Sequence, residues 1–175
     1  MSAALFAADT VRYSAGMLLG VAALGKSFSL ASFRTNLHES FRLPLRVAMW
    51  LAPAIILVEA LLAISISAGS GSARPAMAAA LVMFFIFTVV LAYRFLQEGL
   101  IRCACFGEPE RAVSELDLLR NLLILSLMTA WLVLAPAGGA AALQPLAAGM
   151  AAFCTIALIG LHDIVSILRG DGAIP

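Results

Sequence analysis

Residues 52–64 read APAIILVEALLAI, an apolar run interrupted by one ionisable side chain, Glu59. The run belongs to a longer segment, about 47–68, bounded by Pro44 on one side and by the Gly/Ser-rich AGSGSARP (68–75) on the other. A hydrocarbon core of about 30 Å takes about 20 such residues as a helix, and a backbone in lipid must satisfy its own hydrogen bonds. The segment therefore reads as a membrane-spanning helix with Pro53 near its start. An ionisable group at that depth is costly, so Glu59 is expected to face the bundle interior, stay protonated or meet a partner such as Arg12. Two readings follow for it: a polar clasp between helices, or a proton-linked or quinone-linked role.

Outward from this run the pattern repeats. Further apolar segments cover about 7–28, 76–93, 116–135 and 146–168, which predicts an all-α, polytopic membrane bundle of four to five transmembrane helices. Of the 175 residues 63% are hydrophobic and 12% charged, with mean hydropathy +1.03, so one membrane domain (1–175) takes up the whole chain. The net charge of +1 leaves no basic patch, which argues against a nucleic-acid partner; the lipid bilayer is the expected surrounding. The N-terminus MSAALFAADT lacks the basic region of a secretory signal and is read as retained. Arg12 and Lys26 flank the first segment and are expected to snorkel to the interfaces.

Between the first two spans lies SLASFRTNLHESFR (29–42). Leu30, Phe33, Leu37 and Phe41 recur at helical spacing, with Arg34, His38 and Arg42 in line on another face. That pattern predicts an interfacial amphipathic helix on the membrane surface. Before the fourth span, Ser114 is a candidate cap, and Glu115 and Asp117 suit the positive end of the helix dipole. If the spans alternate in direction, the amphipathic segment and the 94–113 segment emerge on the same side.

That second segment carries CACFG, Cys103 to Gly107, with Arg102 before it. The thiolate is the reactive form, and Arg102 or Arg111 folded over the pair would stabilise it. A bond between Cys103 and Cys105 would close a small constrained ring, the labile kind suited to exchange. The alternative is that both are small apolar packing residues at a helix end. A zinc site needs four suitable ligands and only His38 is a plausible neighbour, so no metal is expected. Three cysteines leave one unpaired in a monomer; Cys154, within the fifth segment, is read as packing. Arg120 and Asn121 near the start of the fourth span, and His162 with Asp163 near the end of the fifth, carry the same two readings as Glu59.

CACFG, the acidic turn behind it and LLRNLLIL (118–125) resemble the methylamine-utilisation protein MauE family, within the broader DoxX-like group of redox-associated membrane proteins. GKSF (25–28), the phenylalanine-rich surface segment, and Pro53 with Glu59 agree, and the resemblance spans nearly the whole chain. It implies a role in maturing a secreted, disulfide-rich enzyme subunit, a membrane-bound thiol-disulfide redox function. Cys103 and Cys105 are the candidate pair for it, and Arg102, from its position beside them, is the candidate for stabilising the thiolate. The implied setting is the bacterial inner (cytoplasmic) membrane, with the cysteine loop on the periplasmic side. It also implies a thioredoxin-like partner and a disulfide-rich secreted client such as the light subunit of methylamine dehydrogenase; a quinone as electron acceptor is a separate reading, tied to Glu59 and not to the resemblance. The architecture is similar to that of the vitamin K epoxide reductase bundle. Here, however, 29–42 holds no second cysteine pair, so the relay requires an external partner.

The charge distribution points the other way. Lys26, Arg34, Arg42, Arg46, Arg94, Arg102, Arg111 and Arg169 fall on the cysteine-loop side against Arg12 and Arg74, and the positive-inside rule would place that side in the cytoplasm. Two other classes of function stay open: a non-enzymatic membrane scaffold or assembly factor, and a small transporter or quinone-linked subunit centred on Glu59.

Overall fold

A computed structural model describes residues 3–39, 41–68, 71–98, 115–135 and 144–160. Their regular structure is helical throughout: α1 (Ala3–Phe28), α2 (Leu30–Glu39), α3 (Leu45–Ser67), α4 (Ala73–Glu98), α5 (Glu115–Leu134) and α6 (Gln144–Ile159). Helices α3, α4 and α5 are each long and apolar enough to cross a membrane, and α1 with α2 makes a fourth crossing if the bent pair is one span. Helix α6 is apolar and 16 residues long over its described part; the rest of the expected fifth span, including His162 and Asp163, lies outside the described residues. The protein is a polytopic helical membrane bundle.

Its side chains are arranged for lipid. Leu57, Leu61 and Ile64 of α3 and Phe85, Ile86 and Val89 of α4 are exposed, whereas Asp9, Arg12, Lys26, Glu59, Arg94, Asp117 and Arg120 are buried. With hydrocarbon as the solvent, outward aliphatic groups cost nothing, and ionisable ones are driven inward to find one another.

Helices α1 and α3 run antiparallel. Near the start of α1 and the end of α3, Arg12 donates to the Ile66 carbonyl at 3.4 Å. One turn further along α1, Gly16 lies so close to α3 that a Cβ there would crowd Ser67 and stand 3.3 Å from the Ala63 carbonyl, and Gly20 continues the stripe opposite Ala63. Glycines four apart let two backbones approach, replacing the missing hydrophobic drive between helices in lipid with close packing. Helix α6 covers another side of α1, where Ser14 donates to the Ala151 carbonyl at 3.5 Å. Helices α4 and α5 are likewise antiparallel: Arg74 donates to the Leu132 carbonyl at 2.7 Å at one end, and Leu91 packs with Phe87, Phe95 and Leu118 toward the other. The end of α4 and the start of α5 therefore lie together, and the tilted pair Phe41–Phe87, centroids 6.2 Å apart, joins that end to the α2 side.

The chain turns 93° between α1 and α2. Serine hydroxyls that bond back to the i−4 carbonyl bend helices, and here Ser27 bonds the Ala23 carbonyl at 2.7 Å and Ser29 the Gly25 carbonyl at 2.8 Å. Helix α2 is the expected amphipathic element, but its apolar face is turned to protein: Phe33 and Leu37 bury against Ala48 and Ala52 of α3, with Leu30 and Phe41 alongside. Arg42 departs from the expected basic line. It lies beyond α2 with φ 52°, a left-handed residue that reverses the chain into α3. His38 Nδ1 donates to the Leu43 carbonyl at 2.7 Å and braces the same turn.

Helix α4 outruns its expected bounds of 76–93 at both ends. Arg94, read as its stop, is buried and the helix continues to Glu98. At the other end Arg74 and Pro75 belong to the first turn, where a proline's missing N–H costs no hydrogen bond. Pro53 sits inside α3 without ending it.

Candidate functional site

Lys26 stands near the α2 end of α1, and Glu59 stands two-thirds of the way along α3. Their side chains meet: Lys26 Nζ donates to Glu59 Oε1 at 2.6 Å and to Oε2 at 2.8 Å, with the residues 4% and 7% exposed. Both carboxylate oxygens are engaged by a single ammonium, a charge-assisted arrangement in which each ion replaces the other's lost hydration. The Phe33 ring of α2 lies 5.6 Å from the same ammonium, at the edge of cation–π range. Expectation and structure differ here in two ways. The partner of Glu59 is Lys26 and not Arg12, and neither cation snorkels. Arg12 is buried, pairs with Asp9 at 3.2 Å one turn away, and lies 4.4 Å from the Tyr13 ring centroid.

The Lys26–Glu59 pair forms part of the wall of a chamber of about 400 Å³. Helix α2 closes it with Phe33 and Leu37, α4 contributes Phe84 and Phe87, and α5 contributes Asn121. The chamber is overwhelmingly apolar, with polar groups confined to Lys26, Glu59 and Asn121, the pattern of small-molecule sites in general. Asn121 is 3% exposed. Its neighbour Arg120 is buried and pairs with Asp117 at 3.5 Å within α5, one turn from the helix start. Thus α1, α3 and α5 each present a polar residue to one cavity, although those residues are far apart in sequence.

Among the sequence-derived candidates, Lys26, Glu59 and Asn121 come together at the chamber, and Arg120 lies beside Asn121 in the chain. His38 does not join them: it is exposed and holds the α2–α3 turn. Cys154 is a free, half-buried thiol in α6. Cys103, Cys105, Arg102 and Arg111 lie outside the described residues. Among those that are described, no cluster of His, Cys, Asp or Glu is placed to hold a metal ion. The aromatic wall of the chamber, Phe84 and Phe87, was not singled out from the sequence. Its only signal there is phenylalanine at three-residue spacing within an already apolar helix.

Comparison with curated proteins and with solved structures found no match. The family model described as methylamine utilisation protein MauE matches residues 3–135, a stretch that holds α1 to α5 and both Cys103 and Cys105. That match covers more than half of the 175 residues, and the chain belongs to the MauE family, membrane proteins associated with methylamine utilisation.

Proposed function

We propose that this protein is a membrane-bound thiol-disulfide redox protein of the bacterial inner membrane that supports disulfide formation in a secreted enzyme subunit. The client in view is the light subunit of methylamine dehydrogenase, and the source of oxidising equivalents is a thioredoxin-like protein. What carries the reading is the pair Cys103 and Cys105, one residue apart inside the stretch matched by the family. Support comes from the flanking elements: the end of α4 and the start of α5 adjoin the α2 end of the bundle.

The exchange has two halves. A thiolate of the reduced pair attacks the partner's disulfide, forming a mixed disulfide and expelling a partner thiolate. The second cysteine then displaces the other partner sulfur, leaving Cys103–Cys105 oxidised by two electrons and the partner reduced by two. In the second half a client thiolate attacks that bond, and a second client thiolate resolves the mixed disulfide. The client leaves oxidised and the pair returns to dithiol. Arg102, adjacent in sequence, would favour the thiolate form.

Cys103→Ser and Cys105→Ser are each expected to abolish client disulfide formation, read by thiol alkylation and gel shift, while immunoblots show the membrane protein at its normal level. Full client oxidation in both variants rejects the mechanism in favour of a scaffold.

A further inference from the structure

The chamber beneath α2 has features that a packing defect does not need. Asn121 lines it at 3% exposure, and among the described residues no hydrogen bond engages its carboxamide. An amide that faces an apolar chamber without a protein partner carries a cost that a leucine of similar volume at this position in α5 would not. Lys26 gives two of its three N–H groups to Glu59, so one donor remains over, and the pair as a whole carries no net charge. Flat faces are supplied by Phe33, Phe84 and Phe87. Ile86 and Val90 line the chamber and are also 57% and 39% exposed on the outer side of α4, so it opens sideways, toward lipid.

We propose that this chamber binds a neutral, planar, carbonyl-bearing ring on an apolar tail, drawn laterally from the bilayer: by chemical class, a lipid-soluble quinone. A ring carbonyl accepts from the Asn121 amide and from the spare Lys26 N–H. The ring faces meet phenylalanines in the offset geometry aromatic pairs prefer. The tail leaves past Ile86 and Val90. Charged headgroups fit poorly, because a phosphate would face the Glu59 carboxylate and a cation would compete with Lys26 for it. The volume falls within the range of about 300–1,000 Å³ found for small-molecule sites. This binding stands apart from the thiol chemistry proposed above and survives its failure.

The test uses the purified full-length protein in detergent, titrated with decyl-benzoquinone and, separately, with dioleoylglycerol as an acyl-ester probe, following thermal unfolding. Decyl-benzoquinone is expected to stabilise the protein saturably, dioleoylglycerol is not, and Asn121→Leu weakens the half-saturation concentration about tenfold. Without ligand, Asn121→Leu is at least as stable as the parent, which a purely structural asparagine does not allow. Val90→Trp fills the mouth from the lipid side, where the fold tolerates bulk, and abolishes the shift even if Asn121→Leu fails to fold. The absence of a saturable shift, a shift unaltered in both variants, or an equal shift with dioleoylglycerol overturns the proposal.

Discussion

Side chains on an α-helix lean toward its N-terminus, and in the antiparallel pair α1 and α3 that lean brings Lys26 and Glu59 together from opposite directions. Removing one member leaves the other charge buried without its counter-ion, which typically costs about 3–5 kcal/mol, whereas replacing both with apolar groups is often neutral or better. Lys26→Met and Glu59→Leu are each expected to lower unfolding stability in detergent by about that amount, and the double variant to recover most of the loss. Additive losses in the double variant would show that the two residues are not coupled. The same variants separate a clasp from chemistry: if the pair only fastens α1 to α3, the double variant still supports client oxidation. That Glu59 needed a partner was legible in APAIILVEALLAI, because a carboxyl among aliphatic residues is untenable alone. Its partner was not legible, since Arg12 and Lys26 both lie in the first span and only the register of α1 against α3 selects between them.

That register is set by small residues. Gly16 and Gly20 on α1 meet Ala63 on α3, and Ala48 and Ala52 continue the narrow face of α3 beneath α2. Gly16→Val pushes the two backbones apart at the point where no Cβ fits, and overpacking of this kind costs about 1–3 kcal/mol. The expected result is a lower unfolding temperature in detergent; Gly149→Val, in α6 with open space around it, is the control and should leave packing undisturbed. Equal losses in the two variants would mean that helix propensity, not the α1–α3 contact, is being measured. The helices themselves were legible from runs of apolar residues, and α2 from the three- and four-residue spacing of Leu30, Phe33, Leu37 and Phe41. The 93° turn at its start was not, because neither proline nor glycine stands at Ser29; the bend comes with serine hydroxyls returning to carbonyls one turn back. The end of α4 was misjudged for a related reason. Arg94 looks like an interfacial stop in sequence, yet it is buried by the packing of α4 within the bundle.

At the scale of the whole molecule, buried charges change how orientation is read. The positive-inside rule counts basic residues exposed near the ends of spans, and two of those on the α2 side, Lys26 and Arg94, are instead buried within the bundle. The described basic residues left at that surface include Arg42 and Arg46, both exposed, against Arg74 at the opposite end. Arg12 on the opposite side is buried as well, so discounting buried charges on both sides leaves the bias toward a cytoplasmic α2 end in place, and the proposed exchange with a secreted client requires the opposite orientation. Labelling decides between them. In a Cys154→Ala background, which removes the half-buried thiol of α6, a membrane-impermeant maleimide is expected to modify Cys103 and Cys105 in intact cells after treatment with an impermeant reductant, and to modify neither without it if the pair rests as a disulfide. Protection until the cells are lysed puts the pair on the cytoplasmic side, and with it ends the case for direct exchange with a secreted protein.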